Sequence, residues 1–359
     1  MTLTRLLYDK FDTASSLSLS FATSSSIHQI LFWCQELLQS NLIDELFESL
    51  WLAYYLFYAK QNKHIEKYIS TKFELYQQQH DNKHIYHIIS KLFISPKSSH
   101  IYNILTSQLN NNSKNKLSLL KGKSPSWCSN YNKISHQILR FLDKQEYLKA
   151  IQHIIKYHSS NLNDSIQYIH QDIIKFFNIQ THFKYKHSPL HHTLIITHSI
   201  YIILNKLNFI TNDYQNNIIL NNSDFNNKYK KNNLHDESNI LTDINIPQHL
   251  FNHILNKQHN CEKNYHILTK YRLYNIHPDI HNIIPTYISP NLNSIRFNWT
   301  SFLNTPIWIQ RIKQHNGDYI NNNITFNNIN DEEDFYNNYN MEFDEQPLHI
   351  QQRSIRNYL

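Results

Sequence analysis

The sequence contains no valine, and its only glycines are Gly122 and Gly317. Alanine is scarce, and there are only two methionines. Codons for Val, Ala and Gly all begin with G, so the depletion reads as nucleotide bias rather than chemistry. The glycine shortage still excludes functions. Phosphate-cradling loops and dinucleotide fingerprints need several backbone positions without a Cβ, and two isolated glycines cannot supply them. The stretch KGKSP, Lys121 to Pro125, imitates the end of a phosphate loop. Leu117 stands where the first glycine belongs, however, and Pro125 follows at once. No Gly-x-Ser-x-Gly elbow exists. Cys34, Cys128 and Cys261 are far apart and form no CxxC, which argues against a disulfide framework and favours a reducing compartment. Neither apolar run, Leu50 to Ala59 or Leu194 to Leu204, reaches the ~20 residues that span a bilayer. The opening MTLTRLLYDKFDTASS lacks a signal-peptide core with a small-residue cleavage site. The expectation is an intracellular protein that is not secreted.

What is abundant is Asn, Ile, Tyr, Lys and His. The same bias explains the 24 histidines, which lose most of their value as a ligand signal. Hydrophobic content of 40%, with 13% aromatics, suffices for a core built from Ile, Leu, Phe and Tyr. Asn is the next-best residue for left-handed turns and is expected there in place of Gly. A net charge of +6 permits contact with nucleic acid without requiring it.

Hydrophobic spacing predicts an all-α fold: antiparallel helical hairpins in an irregular bundle or solenoid-like array, with an Asn-rich loop and an acidic C-terminal segment. Ile27, Ile30, Leu31, Cys34, Leu37 and Leu38 form one helical face. Ile43, Leu46, Phe47, Leu50, Tyr54, Phe57 and Tyr58 form the next, after the short break QSN. Further helices are predicted around Ile65–Tyr76, around Ile85–Leu92 (capped by Asp81 and stopped by Pro96), and from Ile101 to Leu109. Others are predicted around Ile134–Leu142 and Leu148–Ile155, and after Asp164 as a cap. Residues 1–110 and 127–208 read as two helical groups, 209–246 as an Asn-rich linker and 247–330 as a helical and irregular region. In that last region Thr305 and Pro306 start a helix that Gly317 stops. Residues 331–359 read as an acidic tail with a basic end, since Asp331 to Glu345 hold seven acidic groups and no basic one.

The motifs that invite chemistry mostly reduce to structure. His187, His191, His192 and His198 crowd one stretch, but Ser188 and Pro189 start a helix after His187, so His187 and His191 are not an i, i+4 pair. His191 and His198 share a face two turns apart, where hydrogen-bonded imidazoles are expected rather than zinc, which needs four converging ligands. His277, Asp279 and His281 in HPDIH resemble a two-His-one-carboxylate set on a proline-rich turn. The pairs His80–Asp81 and His235–Asp236 read as a cap and as linker. No catalytic, cofactor-binding or metal residue is assigned, and no cofactor is implied. Lysines are the candidate nucleic-acid contacts: Lys114, Lys116, Lys121, Lys123, Lys228, Lys230 and Lys231, with Lys184 and Lys186 less prominent. Trp33, Trp51, Tyr55 and Trp308 exceed what one core demands and are the candidate interaction surface.

Two stretches carry a resemblance: LTRLLYDK through WLAYYLFYA, Leu3 to Ala59, and NTPIWIQRIKQHNGDY with the later FYNNYNMEFDEQ. Together, over about a third of the chain, they resemble an all-helical protein family of nucleocytoplasmic large DNA viruses. The resemblance implies a viral protein made in the host cell and brings no catalytic motif and no functional residues. The leading expectation is a non-enzymatic helical scaffold or adaptor with protein partners. The alternative is a nucleic-acid-associated factor in viral replication or transcription, and a His-dependent metalloenzyme is the remote third.

Overall fold

A computed structural model describes residues 2–23, 27–111, 119–159, 163–181, 189–206 and 299–339. These residues are mostly helical, with one small hairpin. In order they form α1 (Lys10–Thr23), α2 (Ile27–Gln39), α3 (Ile43–Phe57), α4 (Ile65–Gln79), α5 (Lys83–Ile94), α6 (His100–Asn111), α7 (His136–Asp143), α8 (Tyr147–Ser159), α9 (Asn163–Phe177) and α10 (Pro189–Lys206). A C-terminal module follows: α11 (Pro306–Gln314), β1 (Gly317–Ile320), β2 (Asn323–Phe326) and α12 (Ile329–Asn338).

The core is organised around α3, which packs against α1, α2, α4, α5, α6 and α10. Every residue from Leu46 to Phe57 is buried, Glu48 and Ser49 included. A helix that is apolar on all sides belongs in the middle of a protein, and each large side chain buried there contributes roughly 1.5–3 kcal/mol. One apolar cluster runs without a break from Leu6 to Ile203, so the predicted groups 1–110 and 127–208 share a core.

Helix α1 is absent from the sequence-based expectation. Its stretch KFDTASSLSLSFAT is rich in serine, which has a modest helix propensity. Here Ser15, Ser16, Ser18 and Ser20 are buried. Ser18 Oγ donates to the carbonyls of Ala14 (3.2 Å) and Ser49 (3.0 Å), and Ser20 Oγ to that of Ser16 (2.6 Å). With alanine and glycine scarce, serine serves as the small residue that lets α1 approach α3; the Ser18 and Ser20 hydroxyls are satisfied by carbonyls, whereas those of Ser15 and Ser16 are buried without a partner. Asp9 starts the helix, its Oδ1 accepting from the N–H groups of Phe11 and Asp12.

Left-handed backbone falls where asparagine was expected to replace glycine. Asn41, Asn178, Asn316, Asn321 and Asn322 all have positive φ, as do Leu7, His80 and Gln145. Asn321 and Asn322 form the two-residue turn between β1 and β2, which pair antiparallel with Tyr319 opposite Ile324. Gly317 does not stop α11 as expected. Asn316 takes the left-handed position, and Gly317 begins β1, where a Cβ would lie 2.7 Å from the Phe326 ring and 2.9 Å from Ile312 Cγ2. The acidic tract also differs from expectation. Asp331, Glu332, Glu333 and Asp334 lie in α12, where acidic groups suit the first turn and the Asn328 side chain accepts from Asp331 N–H. Residues 340–359 lie outside the described residues, as do 207–298, which contain the predicted linker.

The C-terminal module docks on the chain's first residues. Leu3 and Leu7 join Leu303, Trp308, Ile312 and Phe335 in a second apolar cluster. Thr305 Oγ1 donates to Leu3 O (2.9 Å) rather than capping α11, and Trp308 Nε1 donates to Thr4 O (2.8 Å). On the other side of this segment, Glu36 accepts from Leu6 N–H (2.7 Å) and from Arg5 (3.2 Å). The N-terminal loop is therefore a strap between the helical body and the module.

Candidate functional site

Two places concentrate polar groups. The first is internal. His170 on α9 and His198 on α10 share a hydrogen bond, Nε2 to Nδ1 at 3.0 Å, and both are buried. The His198 ring stacks on Tyr55 at 4.5 Å between centroids, with Tyr201 beyond. One turn from His170, Gln167 Nε2 donates to His191 Nε2 at 3.3 Å. Burial, and then the charge of a neighbouring imidazole, holds both pair members neutral: His170 is pushed down to about 3 and His198 well below its ordinary range. Burial likewise raises Tyr54 and Tyr55, with Glu66 and Tyr201 adding to the shift, and Tyr201 rises to about 12. This cluster joins α3, α9 and α10, and its His170, His191, His198, Tyr54, Tyr55 and Tyr201 side chains are buried. The expected sharing of a face by His191 and His198 is observed, and among the described residues no three His, Cys, Asp or Glu side chains assemble to hold a metal. His277, Asp279, His281 and His235–Asp236 lie outside the described residues. Asp81 accepts from Lys83 N–H and pairs with the Lys83 ammonium at the start of α5, and His80 is the left-handed residue that ends α4.

The second place is at the surface, where the loop 119–125 meets the short turns Ser126–Asn130 and Lys133–Ser135 ahead of α7. A shallow groove there is lined by Ser124, Ser126, Ser129, Tyr131, Lys133 and His136, among others. Arg140, itself buried, holds the loop from beneath by donating to the carbonyls of Lys121 (3.0 Å), Leu120 (3.4 Å) and Gly122 (3.5 Å). Asp172 on α9 accepts from Asn132 N–H (3.0 Å) and Ser135 Oγ (2.5 Å), pinning the far wall. His136 Nε2 donates to Tyr131 O, and Lys175 reaches Asn130 O (2.9 Å) across the Tyr131 ring. Trp127, Tyr131 and Phe176 form a half-buried aromatic trio beside the groove.

Lys133 lines the groove, and Lys121 and Lys123 precede it in the loop; all three are exposed, and none is paired with a carboxylate among the described residues. Of the carboxylates near the groove, Asp172 is already occupied by the backbone and Ser135, and Asp143 acts on the lining Cys128 from the side of α7. The result is a surface rich in lysine and hydroxyl groups, of the kind that contacts phosphate. Of the candidate lysines, Lys121 and Lys123 are both exposed in this loop. Lys114, Lys116, Lys184, Lys186, Lys228, Lys230 and Lys231 lie outside the described residues. Lys133, Ser124, Ser126 and Tyr131 escaped the sequence reading because their common location follows from the fold of loop 119–135 rather than from periodicity. The signal available was the run of hydroxyl, lysine and aromatic residues around Pro125.

The expected interaction surface is overturned. Trp33, Trp51, Tyr55 and Trp308 are 2%, 3%, 0% and 0% exposed. Trp33 packs edge-on to Tyr8 and Phe32, Trp51 stacks on Tyr55, and Trp308 is the centre of the C-terminal cluster. Their large rings fill volume that valine and alanine fill in other cores, which is why the chain needs so many. No helix among the described residues is long and apolar enough to cross a membrane. Compared with known families, curated proteins and solved structures, the chain matches none.

Proposed function

We propose that this protein binds nucleic acid through its phosphate backbone, on the face formed by residues 119–136 of the helical body. The observation that carries this reading is the set of three exposed lysines, Lys121, Lys123 and Lys133, with no carboxylate partner among the described residues, around a groove of serine hydroxyls. Such contacts read charge and not sequence. The loop is held in place by Arg140 and Asp172, so the cations are presented on a fixed surface.

The test is fluorescence anisotropy with a labelled oligonucleotide of arbitrary sequence, single-stranded and duplex, across roughly 50–200 mM salt. Three phosphate contacts give a slope of log K against log salt of roughly −2 to −3. Lys121→Glu/Lys123→Glu/Lys133→Glu should abolish binding while leaving the helical circular dichroism unchanged. Binding that ignores salt, or survives the triple variant, removes the proposal.

A second reading, a non-enzymatic adaptor with a protein partner, is favoured by one observation. Ile320 and Ile329 are 57% and 69% exposed in the same module that exposes Glu332, Glu333 and Asp334. An apolar pair in an acidic module fits a basic, amphipathic partner. Ile320→Glu/Ile329→Glu would then abolish co-purification of such a partner and leave oligonucleotide binding intact.

A further inference from the structure

The described residues contain two Ser-Pro dipeptides, and the structure treats them in opposite ways. Ser95 is half-buried at the end of α5, and its hydroxyl donates to Lys91 O at 2.6 Å. The following residue is tied down as well, since Pro96 O accepts from Asn62 Nδ2 at 2.8 Å. Ser124 is exposed, sits in a loop without helix or strand, and makes no hydrogen bond through its hydroxyl among the described residues. Pro125 is extended, with φ −57° and ψ 154°. A residue before proline is itself biased away from helix. Gly122 adopts φ +93° with nothing near where a Cβ would project, so the loop faces open space there.

We propose that Ser124 is a phosphorylation site for a proline-directed serine/threonine kinase, and that the phosphate it gains is held by Lys123 and Lys133. In the transfer, Ser124 Oγ bonds to the γ-phosphorus of ATP as the bond to the β-phosphate oxygen breaks. ADP leaves, and the hydroxyl proton passes to the kinase's catalytic carboxylate. The segment offers such an enzyme an extended, exposed serine with lysines one and three positions ahead and proline one behind. The product carries close to two negative charges and three acceptor oxygens. Ser124 and Lys133 line the same groove, and Lys123 is the adjacent residue, so cations await the new charge. Arg140 holds the Leu120, Lys121 and Gly122 carbonyls in either state because its bonds are to backbone.

The modification site stands on the loop's geometry alone. Its effect on nucleic acid rests on the reading proposed above: a phosphate on Ser124 occupies Lys123 and Lys133, which would otherwise meet an oligonucleotide, and lowers affinity about tenfold or more. The full-length protein is treated with ATP, magnesium and a proline-directed kinase, and modified residues are located by mass spectrometry. Phosphate is expected on Ser124 and not on Ser95, and Ser124→Ala should remove it. A 31P NMR pH titration of the product should show the phosphoserine titrating at lower pH than in a peptide of residues 119–129, with Lys133→Ala moving it back. No phosphate at Ser124, or a titration identical to the peptide's, overturns the inference. Failure of the unmodified protein to bind any oligonucleotide would sink the nucleic-acid reading while leaving these two measurements decisive for Ser124.

Discussion

Acid should destabilise this protein in the range where most proteins tolerate it, and the His170–His198 pair is the cause. In the folded state burial holds His170 neutral down to about pH 3 and His198 well below its ordinary range. In the unfolded chain both take up a proton near about pH 6.5. Below that value the unfolded state binds more protons than the folded one, so stability is full above about pH 6.5 and falls as pH drops toward 3. Each histidine then removes about 1.4 kcal/mol per pH unit. At pH 5 the loss is about 2 kcal/mol per ring and about 4 for the pair, against a total stability of the order of 5–15 kcal/mol. No carboxylate in the cluster offsets this, because Glu66 acts on the tyrosine hydroxyls, which stay protonated throughout the range. Urea denaturation followed by circular dichroism at pH 7, 6 and 5 measures the effect. With roughly 2–3 kcal/mol per molar urea, the midpoint should move by about 1.5 M between pH 7 and 5. His198→Phe keeps the stack on Tyr55 but leaves the His170 ring without its partner, costing about 1–3 kcal/mol at pH 7. His170→Leu/His198→Phe removes both imidazoles and should flatten the pH slope by about 2.7 kcal/mol per unit around pH 5. If the double variant loses stability with pH as steeply as the wild type, the pair is not the acid-sensitive element.

Three further outcomes follow from packing and burial. Trp308→Ala deletes the centre of the C-terminal cluster and its bond to Thr4 O, at about 3–5 kcal/mol. Hydrogen exchange should rise in residues 299–339 and 2–9 while α3 stays protected, and uniform exchange across both would contradict the strap. Gly317→Ala forces a Cβ against the Phe326 ring and Ile312, so a lowered melting temperature of the module, corresponding to about 1–3 kcal/mol, is expected; an unchanged one would show that the hairpin yields. Desolvation lowers Lys97 to about 8, so at pH 8.5 an acid anhydride should acylate it faster than Lys83, whose ammonium is paired with Asp81. Equal labelling would refute the depressed amine.

Helices α2 to α6 were legible because Ile, Leu, Phe and Tyr recur at helical spacing and no glycine or proline interrupts them. The turns were legible in kind, since asparagine was the residue left to adopt positive φ. Helix α1 was not, because its serines carry no periodic apolar signal, and Ser18 and Ser20 are accommodated by carbonyls of their own helix and of α3. The hairpin was hidden for a related reason: four-residue strands with half-exposed faces have almost no pattern. In the candidate site, Lys121 and Lys123 stood out as a charge pair, whereas Lys133 and Ser124 joined them only through the turns after Pro125.

Composition and spacing by themselves determined that the described residues are mainly helical, that asparagine takes most of their left-handed turns, and that no glycine-rich phosphate loop can form. These are local properties, dictated by side-chain shape and by periodicity along one segment. Which way each large ring points was decided only in three dimensions. Trp33, Trp51, Tyr55 and Trp308 went inward because burying an aromatic ring is worth more than displaying it, and neighbours from distant segments were there to receive it. The same packing closed the imidazoles of His170 and His198 against each other and left Lys121, Lys123 and Lys133 facing water, a sorting that no single stretch of sequence contains.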